Sequence, residues 1–318
     1  MSLKVAVLGY GHLGKWHCDK VEQSQKGATL YAIVESFKAN AEAAQQKFPK
    51  TKVVDDIKKV INEIDAAVIV TPTSTHFELA KYLLENGKHV FCEKPLCNTY
   101  EEVEELKSYI KSKNQVLQVG HSERFHLAWE QVTKFIENEK STIHIRINRM
   151  APFKGRATDV DVVQDLMIHD LDLVTYLLDS LPVSLRAHGK KIRTNKYDFA
   201  VVDLFYKNGS TVSISASRNH VKEVRELELY TKNGCLNVDM FQNSIQVATG
   251  SNPGPEFVKE EKYPKRDHLM LEHQCFYESI LKKTPAIVAY EDGRKAVYLV
   301  EKTIEAISSG VEVTVEYE

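Results

Sequence analysis

A strand that runs straight into Gly9-Tyr10-Gly11-His12-Leu13-Gly14 limits this chain's fold more than any other stretch. Lys4-Val5-Ala6-Val7-Leu8 is an apolar run of strand length, and a helical pattern begins near Leu13. Between a strand and a helix, each glycine has a physical role. Gly9 permits the tight turn, Gly11 lets the backbone approach a pyrophosphate, and Gly14 lets helix and strand pack closely. The helix N-terminus adds its positive dipole end, and His12 and Leu13 offer main-chain amides at the same place. Glu35 ends a second apolar run, 21 positions beyond Gly14. An acid there accepts hydrogen bonds from ribose hydroxyls and repels a 2′-phosphate. The set predicts a dinucleotide site favouring NAD over NADP, with Lys38 near enough to weaken that preference.

Residues 1–122 read as alternating strand and helix, with strands expected at 3–8, 29–34, 66–71, 89–92 and 115–119. Helical faces fall at 77–86 (Ala80, Leu83, Leu84) and 101–111 (Val103, Leu106, Ile110). Such alternation gives a parallel, doubly wound sheet, hence an α/β Rossmann domain. The pattern changes after Gly120. Segment 143–149 alternates strictly, a long helix is expected at 162–178, and strands follow at 183–192, 198–207, 210–217, 224–232, 234–239 and 243–248. Asn208-Gly209 and Asn233-Gly234 are hairpin signals. This predicts a second, α+β domain over 123–318 with a mostly antiparallel sheet. Segment 250–265 reads as a surface loop. Two helices near 267–283 and 292–309 close the chain, with Gly310 as a C-cap and the option of packing back on the first domain.

Composition excludes several partners. The net charge is −2 over 318 residues and no sustained basic stripe appears, which argues against nucleic acid and anionic membrane surfaces. No apolar run approaches the ~20 residues of a membrane span. The first strand begins at once, which leaves no signal peptide. Five cysteines without a Cys-x-x-Cys read as free thiols in a reducing cytoplasm; Cys92 and Cys97 lack metal spacing, so no metal site is expected. In 211–217, Thr211, Ser213, Ser215 and Ser217 face away from Val212, Ile214 and Ala216. A face of small hydroxyls meets either water or a second subunit.

Two places carry candidate chemistry. Lys94 follows the strand at 89–92, in Glu93-Lys94-Pro95, and ligands of such sheets bind beyond the strand ends. A buried lysine beside a positive ring has a depressed pKa and can act as a base; otherwise it is a surface lysine in a proline turn. Thr71-Pro72-Thr73-Ser74-Thr75-His76 follows the third strand and offers hydroxyls and amides to a pyrophosphate or ribose, or else a helix cap from Ser74 or Thr75. Trp16 and His17 read as packing residues. On a 100° wheel of 162–178, Asp165, His169, Asp172 and Tyr176 form a polar stripe opposite the apolar side chains. Asp165 one turn from His169 would fix an imidazole tautomer for general-base work, or be an ordinary ion pair on a solvated stripe. Asp170 falls in the apolar face, as a buried structural carboxylate or as a sign of a helix buried on both sides.

Taken in order, Gly9-x-Gly11-x-x-Gly14, Thr71-Pro72 with His76, Glu93-Lys94-Pro95, Asp165-x-x-x-His169-Asp170 and Glu291-Asp292-Gly293 resemble the Gfo/Idh/MocA oxidoreductases over nearly the whole chain. The resemblance implies a catalytic set of Lys94, Asp165 and His169, with Glu93 and Pro95 fixing Lys94. It also implies a large open sheet in the second domain that forms a homo-dimer or tetramer interface. Val119-Gly120-His121-Ser122-Glu123-Arg124-Phe125 looks like the matching stretch of sugar-nucleotide 3-dehydrogenases, although His126-Leu127-Ala128 stands where Asn-Pro-Ala is expected. A nucleotide sugar beside His121 needs cations for its diphosphate, and Arg124, Lys154 and Arg156 could serve or be ordinary surface residues. The expected function is therefore NAD-dependent hydride transfer from a secondary alcohol of a sugar or sugar nucleotide. The rivals are an inositol-type polyol dehydrogenase or reductase, and a non-catalytic NAD-binding sensor or scaffold.

Overall fold

The computed structural model describes residues 2–24, 27–112, 114–137, 142–155, 158–249 and 258–317. The chain divides into two compact units, residues 1–122 with 267–297, and 123–266 with 298–318.

The first unit holds strands β1 (Leu3–Leu8), β2 (Ala28–Val34), β3 (Lys52–Val54), β4 (Ala66–Ile69), β5 (His89–Glu93) and β6 (Leu117–Gly120), joined through helices α1 (His12–Glu22), α2 (Lys38–Lys47), α3 (His76–Glu85) and α4 (Tyr100–Leu106). They form one parallel sheet in the order β3-β2-β1-β4-β5-β6. Val5–Leu8 and Ala66–Ile69 are almost fully buried, as strands covered on both faces must be. β3 escaped the sequence reading because three residues at a sheet edge carry no period. The order reverses between β1 and β4, which opens a crevice at their carboxyl ends. Gly9 and Val70 sit there, tied in by Gly9 N–H to Val34 O (2.8 Å) and Val70 N–H to Leu8 O (2.9 Å).

The second unit is organised by a nine-stranded sheet, β14-β13-β12-β11-β7-β10-β9-β8-β15. Its strands are β7 (His144–Met150), β8 (Ser184–Lys190), β9 (Phe199–Phe205), β10 (Thr211–Ser217), β11 (Val224–Thr231), β12 (Gly234–Asp239), β13 (Ser244–Thr249), β14 (Val258–Lys262) and β15 (Val313–Thr314). Only β7 and β10 pair in parallel; the other neighbours are antiparallel. Ile145, Ile147, Val212 and Ile214 are fully buried on one face. On the other, Ser213 donates to Asp203 and Thr211 bonds His144 (2.8 Å), while Ser217 at the strand end is buried. β14 corrects the expected loop at 250–265: Val-Lys-Glu-Glu-Lys is a charged, exposed edge strand with no alternation to read.

Helix α5 (Trp129–Glu137) went unread in the sequence, and the helix expected at 162–178 is two pieces. A π-helical turn covers Val163–Met167 and α6 follows over Ile168–Leu178. The 100° wheel fails across a π turn, so the predicted stripe breaks at Asp165. Asp172, on the stripe that could have been either solvated or covered, is buried, as are its neighbours Leu171, Leu173, Val174 and Thr175. α6 is thus buried on both sides. α7 (His268–Lys282) and the first part of α8 (Tyr290–Ser309) belong to the first unit, where α7 contributes Phe276 and Tyr277 to the core beside β1 and β2.

Candidate active site

In the first unit, a cleft of about 780 Å³ opens at the β1–β4 crevice, lined among others by Gly9, Gly11, Glu35, Asp56, Thr71 and Pro72. The glycines are required there for different reasons. Gly9 has φ +95°, and a Cβ on it would stand 2.9 Å from Val70 O. A Cβ on Gly14 would overlap Gly9 O, so the first turn of α1 could not close onto the strand. A Cβ on Gly11 would meet no protein atom within 4 Å, so its missing side chain leaves room for something other than protein. Gly11 is also the N-cap of α1 and makes no side-chain cap, which leaves main-chain donors of the first turn facing the cleft. The cleft therefore fits the diphosphate of a dinucleotide. Gly11→Ala is expected to keep the melting temperature and to weaken NAD binding by roughly tenfold or more, since an added methyl meets only the ligand. Differential scanning fluorimetry with and without NAD reads both.

Glu35 is held at the end of β2 by two main-chain donors, Tyr10 N–H to Oε2 and Phe37 N–H to Oε1, both 2.8 Å. The Asn40 amide also donates to Oε2, at 3.5 Å; a carboxylate has about four acceptor positions, so one remains for a ribose hydroxyl. Asp55 and Asp56 line the same end of the cleft. Lys38 is turned to Glu42 at 3.9 Å and almost fully exposed. His12 and Leu13 are exposed on α1. Trp16, expected to pack, is 51 % exposed and lies against the His12 ring, because α1 turns that face outward.

The Thr71–His76 segment and the Lys94 turn are joined by His76. Its Nδ1 lies 2.8 Å from Pro95 O and its Nε2 2.9 Å from Thr71 O; the neutral imidazole donates to one of these carbonyls, and only the protonated ring donates to both. Burial pushes its pKa below the ordinary value, against those two carbonyls. Thr75 occupies the N-cap position of α3, yet its hydroxyl bonds Thr71 Oγ1 (2.7 Å) and Pro72 O (2.8 Å) rather than capping the helix. Thr73 begins the 3₁₀ turn between them. Lys94 is half-buried, and its peptide to Pro95 is cis. Glu93 Oε2 accepts Lys94 N–H at 3.2 Å. Just beyond, Thr99 and Glu102 form a capping box that fixes the start of α4 and so the exit from the turn. Gly293 packs on Leu96, where a Cβ would stand 3.2 Å from Leu96 Cδ2. His121, at the end of β6, is buried.

In the second unit, Asp165 and His169 are half-buried on the π turn and the start of α6. Beneath them Arg149 makes a bidentate pair with Asp170 (2.8 and 2.7 Å) and reaches Glu123 (3.1 Å), which also receives Arg225 (3.2 Å). Burial raises the Glu123 pKa, but the charges of Arg149 and Arg225 outweigh it and hold the group at about 2. Arg124, expected to meet a diphosphate, is turned inward: it pairs with Asp172 at 2.8 and 2.6 Å and is 5 % exposed. Lys154 pairs with Glu223. Arg156 lies outside the described residues. A recess joins Asp165 to Arg149, Lys154, Arg218 and Arg225. Sequence reasoning missed Arg149, Arg218 and Arg225, since each sits in a strand or at a strand end with a partner distant in sequence. Among the described residues no group of three or more His, Cys, Asp or Glu could hold a metal ion, and no helix is long and apolar enough to cross a membrane. The five cysteines are free thiols.

Strand order, glycine turn and ordered acid define a Rossmann-fold, dinucleotide-binding oxidoreductase. Residues 3–121 match the Gfo/Idh/MocA "oxidoreductase family, NAD-binding Rossmann fold", and 142–237 match that family's C-terminal domain. The chain belongs to the Gfo/Idh/MocA family. It is 32 % identical over 302 residues to a UDP-N-acetylglucosamine 3-dehydrogenase of Acidithiobacillus ferrooxidans, covering 93 % of this chain and 94 % of that one. It is 26 % identical to an inositol 2-dehydrogenase of Rhizobium meliloti, over 99 % of this chain and 100 % of the other. A solved structure of the Acidithiobacillus ferrooxidans enzyme superimposes with a TM-score of 0.88 at 28 % identity, covering 97 % and 99 % of the two chains.

Proposed function

We propose that the protein is an NAD-dependent dehydrogenase that oxidises a secondary hydroxyl of a sugar nucleotide, with the 3-hydroxyl of UDP-N-acetylglucosamine or its uronic acid as the leading candidate. The observation that carries the substrate class is the recess in which Asp165 stands beside Arg149, Lys154, Arg218 and Arg225. Its lining carries four cations against two carboxylates, Asp165 and Glu223, with Glu223 paired to Lys154, and that balance suits a substrate with negative charge, which a nucleotide diphosphate or a uronate has and an inositol lacks. The 32 % identical relative acts, by its name, on such a substrate. Glu35, Asp55 and Asp56 favour NAD, since a 2′-phosphate there would meet carboxylates.

Bound NAD supplies the hydride acceptor. The chain's own part is alignment and proton management. His169 takes the hydroxyl proton, or Lys94 does, and Asp165 orients and polarises the imidazole. His121 completes the sugar contacts. Association through the open sheet of the second unit, as a dimer or tetramer, belongs to the same reading.

The test is a panel of UDP-sugars, inositols and free hexoses, run with NAD and with NADP and followed by reduced-nicotinamide absorbance. Turnover of a UDP-sugar with NAD is the expected result; turnover confined to inositols would overturn the substrate class and favour the polyol reading. NAD binding without turnover on any member would favour a sensor. Arg225, which shares its single carboxylate with Arg149, is the cation to remove. Arg225→Met is expected to raise KM for the UDP-sugar about tenfold or more, the size of a lost charge-assisted contact, with NAD affinity unchanged.

A further inference from the structure

Behind the Lys94 turn, inside the first unit, lies a row of buried polar side chains that the proposed chemistry does not use. Glu93 Oε1 is 3.1 Å from His17 Nε2. His17 Nδ1 is 3.0 Å from His273 Nε2, and His273 Nδ1 is 2.9 Å from the Tyr277 hydroxyl. His17 and His273 have no exposed surface and Tyr277 is 1 % exposed. His17 was expected only to pack, and nothing in the sequence singled out His273 or Tyr277.

Proton bookkeeping gives the row a direction. With both imidazoles neutral, one arrangement places a single proton in every contact and leaves Glu93 ionised. Tyr277 O–H donates to His273 Nδ1, His273 Nε2–H donates to His17 Nδ1, and His17 Nε2–H is left facing Glu93 Oε1 at 3.1 Å, a close polar contact that is not aligned as a hydrogen bond. The reverse order requires a neutral carboxylic acid at Glu93. Burial pushes the His273 pKa well below the ordinary value, with the Lys20 charge acting in the same direction. Burial pushes Glu93 up, but the close contact with His17 and the Lys94 charge outweigh it and hold its pKa low. Both directions agree with the first arrangement.

The row is also held mechanically. Phe91 stacks on His273 with centroids 5.3 Å apart and planes 3° from parallel, and it meets the His17 ring edge-on at 5.6 Å. At the far end the Glu93 carboxylate rests on Gly120, where a Cβ would stand 2.7 Å from Oε1. The other oxygen accepts the main-chain N–H of Lys94. The Tyr277 hydroxyl ends the row in the core, so the row orients rather than exports a proton.

We propose that His17, His273 and Tyr277 are positioning residues for Lys94: the hydrogen bonds from Tyr277 through His273 fix the His17 ring, the close polar contact of His17 Nε2 holds Glu93 in one orientation, and Glu93 sets the backbone from which Lys94 projects. This rests on the reading of Lys94 as a catalytic group. A network of this kind acts as a unit, so each link matters to the last one.

The test compares His273→Leu, His273→Gln and Tyr277→Phe with the parent enzyme for kcat, KM, NAD affinity and melting temperature. His273→Leu is expected to lower kcat about tenfold, the scale of a small misplacement at a reacting centre, with KM and NAD affinity within about twofold. His273→Gln restores an N–H donor toward His17 Nδ1 and is expected to recover most of that loss. Tyr277→Phe removes one oxygen at nearly constant shape, so it carries the test even where His273→Leu fails to fold, and it should lower kcat by about threefold. Parent-level kcat in folded His273→Leu or Tyr277→Phe overturns the proposal, as does a loss that follows NAD affinity, or a glutamine variant no better than leucine. Lys94→Met separates the two layers. If it keeps turnover, the reading of Lys94 fails; if it abolishes turnover while Tyr277→Phe and His273→Leu keep kcat, only the positioning role fails.

Discussion

Lys94→Met is expected to bind NAD as the parent does and to lose turnover by at least ~100-fold, the usual size of a missing acid–base group. Methionine keeps an unbranched apolar stem of nearly the same shape, with sulfur for one methylene, and lacks the amine. The surroundings stay intact, because the turn is fixed from outside the side chain: His76 bonds Pro95 O, Glu93 takes Lys94 N–H, and the Thr99–Glu102 box caps the next helix. A NAD titration and steady-state rates with the substrate found in the panel check the two halves. Near-parent turnover would remove Lys94 from the mechanism, whatever its position.

The largest stability effect is expected at Arg149. Arg149→Met should cost about 3–5 kcal/mol, because it strands Asp170, which has no exposed surface, and leaves Glu123 with one guanidinium. Urea denaturation reads the loss, and adding Asp170→Asn should return part of it, since the two positions are in contact. A loss below about 1 kcal/mol, the size of an ordinary surface change, would show that the pair is not sealed from water. The pH dependence carries a sign. Glu123 has its folded pKa depressed from 4.5 to about 2, so its contribution is present above ~4.5 and is lost as pH falls toward 2. That contribution is roughly 3 kcal/mol in the parent and should shrink in Arg149→Met, which flattens the acid limb of the stability curve.

What the sequence disclosed follows from how far apart the partners lie. The glycine turn and Glu35 were legible because the strand, the turn and the acid are close along the chain and each glycine answers a local steric demand. Lys94 was legible as a strand-end residue in a sheet whose crevice lies at the strand ends. The row behind it was not, since His17 and His273 are 256 positions apart and each alone looks like packing. Asp170 stood out as a charge on an apolar face, but Arg149, its partner, sits in a strand whose alternation hides a buried cation. The π turn at Val163–Met167 has no signature in apolar spacing, and a wheel drawn at a constant angle runs through it unaware. Arg124 carried the right charge for a diphosphate, and only its neighbour Asp172 in three dimensions shows where that charge goes.

The placement of α7 also has a consequence in time. Phe276 and Tyr277 fill the core beside β1 and β2, although they are synthesised long after those strands. A chain released after residue 266 would present the hydrophobic flank of Cys18, Val21 and Phe91 to water. The cofactor-binding unit therefore cannot mature before α7 is made, and a truncation ahead of residue 267 should forfeit NAD binding as well as the helix it removes.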